Sequence, residues 1–241
     1  MEYLRARSVL ALIGLAGVLF STALAAEMRA VVATVPVGQK LKRVAVNGGG
    51  GSAVRRWHFE GDVRGSVPAG WRAETGTWQV LPDPTGSGNV FAQVSGEHAG
   101  SYFNVAICEE PSLRNVAVRV RLRARGGDED QGGGPVWRYR DVNNYYIARY
   151  NPLEDNYRVY KVVNGRRILL ASADVEPLHS PSHSLWQELA VRMDNDAIQC
   201  FLDGKLYLEV KDSTFEEAGH VGLWTKADAQ TDFDDFEVEG K

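Results

Sequence analysis

Cysteine and methionine are scarce in this sequence, and so are the short motifs of many enzyme classes. Its 241 residues contain 2 cysteines and 3 methionines, and no Cys-x-x-Cys pair, phosphate-binding loop or nucleophile elbow occurs. The formal net charge is −4, and basic residues are spread along the chain instead of forming a stripe. These absences argue against a dithiol redox centre, a nucleotide-binding loop, a nucleophile-elbow hydrolase and a nucleic-acid partner.

Helical periodicity is also missing from residues 56–241. About thirteen short segments carry β-branched and aromatic residues instead, and Gly, Pro, Asp or Asn separates them. This pattern predicts an all-β protein, built as an antiparallel sandwich or barrel.

Long apolar stretches are confined to the N-terminus. Arg5 and Arg7 precede an apolar run over residues 9–25, which ends in Ala23-Leu24-Ala25, a pattern recognised by signal peptidase. We therefore interpret residues 1–26 as a signal peptide, which predicts a secreted or periplasmic protein. The run approaches the length of about 18 residues that a membrane span needs, so an uncleaved N-terminal anchor is the alternative. No later segment is apolar enough to cross a bilayer.

Residues 27–55 form a second region with a different composition. Basic residues cluster at positions 40–43, and the Gly-rich run at positions 47–52 cannot hold regular structure. We interpret this region as a flexible leader. Residues 56–241 are then enough for one domain with a sizeable core.

The two cysteines of that domain leave one question open. In an oxidising compartment Cys108 and Cys200 could form a disulfide that closes a long loop. Alternation places Cys200 on the face of Ile198 and Leu202, whereas Cys108 lies on the face opposite Val105. This pattern argues against the pair without excluding it.

The clearest predicted strand covers residues 115–125. Valines at positions 116, 118 and 120 take one face, and the other face carries four arginines that we call the arginine row: Arg119, Arg121, Arg123 and Arg125. Like charges at this spacing usually mean a solvated outer face crossed by acidic neighbours, with Glu188 and Asp194 available as partners. A ligand platform is the alternative.

The stretch from Gly132 to Arg167 is unusually rich in rings, amides and charges, and its strands form what we call the meander. The meander's predicted strands cover residues 136–139, 145–150, 157–163 and 167–172. Asn164-Gly165 predicts a type I′ hairpin turn, because both residues tolerate positive φ.

Alternation assigns two faces to the strand over residues 145–150. One face carries Tyr145, Ile147 and Arg149, and the other carries Tyr146, Ala148 and Tyr150. One of these faces must cover a core. The other then presents rings and hydrogen-bonding groups to solvent or to a ligand.

Three segments carry a resemblance to a known family. They are FEGDVRGSVPAGWRAETGTWQV, DQGGGPVWRYRDVNNYYIARYNPLEDNYRVYKVVNGRR and AGHVGLWTKADAQTDFDDFEV, within residues 57–238. The chain resembles the laminin-G or concanavalin A-like jelly rolls, specifically the bacterial secreted group of 3-keto-disaccharide hydrolases or family-sixteen glycoside-hydrolase-like domains. The resemblance implies a two-sheet jelly-roll sandwich with a concave, ligand-capable sheet and, often, carbohydrate recognition.

Carbohydrates are bound by rings that cover their apolar faces and by charged or amide groups that pair with their hydroxyls. The meander and the segment around residues 224–226 supply both kinds of group. The predicted carbohydrate-binding residues are Trp137, Arg138, Tyr145, Arg149, Asn151, Asn156, Tyr160, Lys161, Trp224 and Lys226.

Hydrolysis is the alternative function on the same surface. A glycosidase typically needs two carboxyl groups, one of them held protonated. Glu154 and Asp130, which lies in a glycine-flanked acidic loop, are the catalytic candidates. Residues 232–237 superficially resemble the acidic signature of family-sixteen glucanases. They begin with Asp instead of Glu and lie on the last strand, which is structural in laminin-G-like domains.

The resemblance also implies a structural calcium ion, because jelly rolls of this kind often bridge their first and last strands through one. Glu60, Asp62 and Asp235 fall at the matching places. Three functions follow in order: glycan binding, hydrolysis of the 3-keto-disaccharide type, and adhesion to a protein through the arginine row.

Overall fold

The structure is a computed structural model that describes residues 54–86, 88–177 and 185–240. The predicted signal peptide and nearly all of the predicted leader lie outside the described residues. Fifteen β-strands are present in the described part: β1 Arg55–Trp57, β2 Trp71–Thr75, β3 Trp78–Pro82, β4 Asn89–Gln93, β5 Phe103–Leu113, β6 Val116–Gly126, β7 Gly134–Asp141, β8 Asn144–Asn151, β9 Asn156–Val163, β10 Arg166–Asp174, β11 Gln187–Asp194, β12 Ala197–Leu202, β13 Lys205–Lys211, β14 Gly219–Lys226 and β15 Gln230–Gly240. Among these residues no helix has the length and apolarity to cross a bilayer.

The strands form two antiparallel sheets. Sheet A has the order β13-β12-β11-β6-β15-β4-β3, with β1 also paired to β15. Sheet B has the order β10-β9-β8-β7-β14-β5-β2. The inner faces of the two sheets pack on one shared core, which confirms the predicted all-β, two-sheet sandwich.

Alternation along the strands decides which side chains enter that core. In β6 the residues Val116, Val118 and Val120 are buried, as period two predicts. From sheet B, Tyr146 and Tyr150 of β8 enter the same core cluster. The predicted division of β8 into two faces is therefore confirmed, and the face with Tyr146 is the inner one.

The meander folds as four consecutive antiparallel strands, β7 to β10. Asn164 and Gly165 have φ angles of 50° and 76°, as the predicted turn requires. This two-residue turn pairs Val163 with Arg166 and Val162 with Arg167. Arg167 therefore shares a sheet face with Val162.

The arginine row lies on the outer face of sheet A and is paired with acids, as predicted for a solvated face. Arg119 contacts Glu237 at 3.2 Å, and Arg121 contacts Asp235 at 2.9 Å. Arg123 differs, because its side chain is only 1% exposed and lies 2.6 Å from the equally buried Asp232. The row thus combines surface pairs with one buried pair.

The cysteines form no disulfide with each other. Cys108 and Cys200 are free thiols and both are buried in the shared core, one on each sheet. The alternation pattern does not explain why the two thiols are unpaired, because each thiol points into the shared core from its own sheet.

The buried pair of sheet A gives a stability prediction. Arg123→Gln should lower the free energy of unfolding by about 3 to 5 kcal/mol, because Asp232 would stay buried without its closest cation. The matched variant Arg119→Gln removes a 43%-exposed arginine and should cost less than about 1 kcal/mol. Urea denaturation measures both values, and equal losses would contradict this distinction.

Candidate functional site

The outer face of sheet B carries a second cluster of buried apolar side chains, separate from the shared core. Its members are Val105, Ile107, Val136, Tyr139, Tyr145, Ile147, Tyr160, Val162 and Trp224, with Phe103 packed against them. Apolar residues thus cover both faces of this sheet. We call the part around Tyr145, Tyr160 and Trp224 the aromatic floor.

Arg167 lies over the aromatic floor. Its guanidinium carbon is 4.5 Å from the ring centre of Tyr160 and 5.6 Å from those of Phe103 and Trp224. Arg167 belongs to β10 and Phe103 to β5, which are five strand spacings apart in sheet order, or about 24 Å in a flat sheet. Two side chains cannot bridge that distance, so we infer that sheet B curves around the guanidinium with its outer face concave.

A network of charged and amide groups, which we call the polar cluster, lies at one end of this face. Asp130 forms an ion pair with Arg149, accepts a hydrogen bond from Lys226 Nζ at 2.9 Å and accepts another from Asn151 at 2.9 Å. Asp130 and Arg149 are each only 1% exposed. Such a buried pair is tolerated because several partners offset the loss of hydration.

Glu154 forms the solvent-facing edge of the polar cluster. Its carboxylate lies 3.4 Å from Arg149 and 3.2 Å from Arg158, and it accepts a hydrogen bond from Asn156 at 2.8 Å. Although burial opposes the change, the hydrogen bonds from Asn156 and Arg149 and the neighbouring positive charges lower the pKa of Glu154. Glu154 is therefore ionised at neutral pH and is unsuited to be a protonated general acid.

Asp228 holds the loop that carries Asp130. Its carboxylate accepts backbone hydrogen bonds from Asp128 at 2.6 Å, Glu129 at 3.0 Å and Asp130 at 2.9 Å. The Glu129 carboxylate in turn accepts the backbone N–H of Gly100 at 2.9 Å. Asp228 thus acts as a positioning residue for the polar cluster.

One terminal nitrogen of Arg167 is inaccessible to solvent and has no hydrogen-bond partner among the described residues. The Tyr145 hydroxyl and the Trp224 indole nearby interact with each other. Burial raises the pKa of Tyr145, while a hydrogen bond with Trp224 and the charge of Arg167 act in the opposite direction. The three groups are therefore neighbours, and an unpaired buried donor such as the Arg167 nitrogen is uncommon in native proteins.

Most of the sequence-predicted site residues meet on this face. Asp130, Arg149, Asn151, Glu154, Asn156 and Lys226 form the polar cluster, and Tyr145, Tyr160 and Trp224 form the aromatic floor. The structure thus brings these nine residues together at one sheet face. Their role in binding remains a proposal.

Three predicted carbohydrate-binding residues lie elsewhere, which corrects their assignment to this surface. Trp137 is fully buried in the shared core and stacks on Tyr146. Arg138 is 1% exposed and donates to backbone carbonyls, including that of Arg114 at 2.8 Å. Lys161 lies on the inner-face side of β9, next to Tyr146 in register, and contacts Asp212 at 2.7 Å.

Sequence reasoning missed Arg167 and Phe103. A signal for Arg167 existed, because a two-residue hairpin turn fixes the register and places Arg167 beside Val162 and on the face of Tyr160. No local signal existed for Phe103, which reaches this face through the pairing of β5 with β14.

The outer face of sheet A holds two depressions, of about 240 and 210 Å³. The first has an apolar centre that includes Ala117, Ala190 and Phe201. The charged groups around both are already engaged, as in the 2.7 Å pairs of Arg56 with Glu237 and His58 with Asp235. We place the candidate site on sheet B, because Arg167 lies there on aromatic rings without a salt bridge among the described residues, whereas the charged groups beside the depressions of sheet A are paired.

The predicted calcium ligands are only partly assembled. Asp235 contacts His58 and Arg121, and ligand atoms of His58, Asp234 and Asp235 lie within 4.8 Å of one another. Burial and the charges of Asp235 and Glu60 raise the pKa of Asp234 to about 6. Asp62 instead accepts the backbone N–H of Ala69 at 3.2 Å, in a turn.

Two antiparallel sheets with this order and packing form a jelly-roll sandwich. No family model matches the chain, and no curated protein matches it. The narrower resemblance to 3-keto-disaccharide hydrolases therefore remains a prediction.

Solved structures with similar folds include proteins of several kinds. The carbohydrate-binding module CBM66 from Bacillus subtilis has a TM-score of 0.57 at 21% identity, covering 71% of this chain and 96% of the module. The exoplasmic/lumenal domain of VIP36 in its Ca2+-bound form has a TM-score of 0.52 at 14% identity, covering 76% and 88%. The GH43 protein BlXynB from Bacillus licheniformis has a TM-score of 0.53 at 15% identity, covering 77% of this chain but 39% of that protein. At these identities the likeness shows the fold alone.

The Asp228 contacts give a prediction about the polar cluster. Although burial opposes it, the backbone hydrogen bonds lower the pKa of Asp228 below its ordinary value of 3.8. Its stabilising contribution is therefore complete at neutral pH and is lost as the pH falls through this lowered pKa. Asp228→Asn should cost on the order of 1 kcal/mol at pH 7 and progressively less below about pH 4.

Hydrogen exchange at the amides of residues 128–130 should be faster in Asp228→Asn, because these amides lose a charged acceptor. Asp128→Asn is the matched control, since the exposed Asp128 side chain loses the same charge nearby. Unchanged protection in Asp228→Asn would show that the loop is held by other contacts.

Proposed function

We propose that this protein binds a glycan on the outer face of sheet B, across the aromatic floor and the polar cluster. The observation that carries the proposal is Arg167, which lies on aromatic rings without a salt bridge among the described residues and stands beside a fixed polar network. A sugar offers an apolar C–H face to the partly exposed Phe103 ring. It offers hydroxyl groups to Glu154, Arg158 and Arg167, which solvent also reaches.

The similar structures support the proposal without carrying it. One is described as a carbohydrate-binding module, and VIP36 is known in a Ca2+/Man2-bound form. Because these proteins are under 25% identical to the chain, their ligands suggest only a class of compound.

Binding is favoured over hydrolysis. Glu154 is ionised at neutral pH, and Asp130 is enclosed by Arg149, Lys226 and Asn151. Retaining and inverting glycosidases both need one carboxyl group that gives up a proton to the leaving oxygen. These two carboxylates are better suited to holding Arg149 and Lys226 in place.

Binding is also favoured over adhesion through the arginine row. Arg119, Arg121 and Arg123 are paired with Glu237, Asp235 and Asp232, so a protein partner would have to displace these acids.

A secreted or periplasmic location fits glycan binding and belongs to the same proposal. It rests on residues 1–26 alone.

The proposal predicts that solvent-facing members of the polar cluster contribute to affinity. Glu154→Gln and Arg158→Gln should each weaken binding about tenfold, because each removes a charged hydrogen-bonding group from the edge of the site. Both side chains are partly exposed, at 41% and 34%, so the fold should be kept. Isothermal titration with a panel of plant and bacterial polysaccharides measures the change.

Arg119→Gln on sheet A is the control and should bind like the wild type. If the wild type binds no member of the panel, the proposed function is wrong. If Arg119→Gln weakens binding as much as Glu154→Gln does, the site lies on the wrong sheet.

We also propose that a calcium ion binds near Asp234 and Asp235, with Glu60 beside them. These acids offer the oxygen ligands that calcium prefers. The pKa of Asp234 is raised first by burial and then by the negative charges of Asp235 and Glu60, which a cation would neutralise. Such an ion would hold the first and last strands together. It would have no part in sugar chemistry.

Calcium at about 1 mM should raise the midpoint of thermal unfolding by about 3 °C. Asp234→Asn should abolish this shift, whereas Asp128→Asn, which removes a distant acid, should keep it. Differential scanning fluorimetry with and without EDTA measures the effect. An unchanged midpoint at calcium concentrations on the order of 10 mM would contradict the calcium proposal.

A further inference from the structure

Arg167 differs from the other cations of its face because it forms no salt bridge with an acidic side chain among the described residues. Among the described residues of the outer face of sheet B, Arg149 pairs with Asp130, Arg158 with Glu154, Lys226 with Asp130 and Arg72 with Glu74. Arg167 instead contacts the rings of Tyr160, Phe103 and Trp224 and forms no salt bridge among the described residues. One of its terminal nitrogens is buried and has no hydrogen-bond partner among the described residues.

Burial of an uncompensated charge is unfavourable, and the two neighbouring arginines show the difference. For Arg149, the charge and hydrogen bond of Asp130 outweigh burial, and its pKa is raised. For Arg167, burial prevails and its pKa is lowered. The charges of Asp130 and Glu154 act on Arg167 in the opposite direction, but neither acid forms a salt bridge with it among the described residues, whereas buried charges in native proteins are normally paired directly.

The neighbouring Tyr145 and Trp224 do not compensate the guanidinium charge. Both rings are fully buried, and the Trp224 indole, which can only donate, forms a hydrogen bond with the Tyr145 hydroxyl. Water could accept hydrogen bonds from a guanidinium, but it would not neutralise its charge.

We propose that the glycan bound on this face is acidic and that its carboxylate or sulfate group binds the Arg167 guanidinium. This inference rests on the proposed function. The planar guanidinium can bind either group through two parallel hydrogen bonds while it stays stacked on Tyr160. Because the whole chain has a net charge of −4, general electrostatic attraction to a polyanion does not account for such binding.

The wild type alone provides the first test. Oligogalacturonates are compared with their methyl esters, which keep the sugar but lose the charge, and dextran sulfate is compared with dextran. Isothermal titration should show at least about tenfold tighter binding of one acidic member than of its neutral match. The pair that responds identifies carboxylate or sulfate as the recognised group.

Variants of the β9–β10 hairpin provide the second test. Arg167→Gln should remove the preference for the acidic ligand, and Arg167→Lys should keep only part of it, because Lys lacks the planar fork. Arg166→Gln is the matched control, since the adjacent Arg166 is exposed and loses the same charge. It should bind within about twofold of the wild type. A preference kept by Arg167→Gln would overturn the proposal, and an equal loss in Arg166→Gln would also do so.

The outcomes separate this proposal from the proposed function. Binding of neutral and acidic glycans with equal affinity would overturn the acidic-ligand proposal and leave glycan binding intact. Absence of binding to every glycan would overturn both. Poly-glutamate that binds as tightly as the acidic glycans would show recognition of charge alone and would overturn the assignment of a sugar.

Discussion

The buried ion pair between Asp130 and Arg149 is the interaction on which the candidate site depends. It joins the loop before β7 to strand β8, and both side chains are nearly inaccessible to water. Removing two charges from water costs several kcal/mol, which close contact and further hydrogen bonds must offset. Lys226 and Asn151 supply these bonds, and the Asp228 carboxylate holds the loop by accepting backbone hydrogen bonds from it. The polar end of the site is therefore rigid before any ligand arrives, as recognition of hydroxyl groups requires.

The two outer faces of the sandwich use similar residues for different purposes. On sheet A, the first three arginines of the row contact acids of β15, so the charges satisfy one another. On sheet B, Arg167 lies on rings and not beside an acid. Composition alone does not separate these cases, since both faces are rich in arginine and aromatic residues. Pairing separates them, and it is the reason that we propose the binding site on sheet B although the described depressions lie on sheet A.

Local patterns predicted the strands and much of their orientation. Period two gave the inner face of β6 and divided β8 correctly, because side-chain direction in a strand follows from backbone geometry alone. Trp137 and Lys161 were misassigned because ring and charge content were considered without the register. Each is paired in register with Tyr146, which faces the shared core. The Asn164-Gly165 turn fixes the register that places Arg167 on this face, so the position of Arg167 could have been predicted from the sequence.

The sequence by itself determined the all-β class, the order of strands and turns, and the two faces of the clearest strands, since these depend on residues close together in the chain. Only the tertiary structure decided which face of sheet B meets the shared core and which residues share the site. Asp130 and Lys226 are 96 positions apart, and Phe103 reaches Arg167 through the order and curvature of the sheet. Contacts of this kind follow from the packing of distant strands, which no local periodicity encodes.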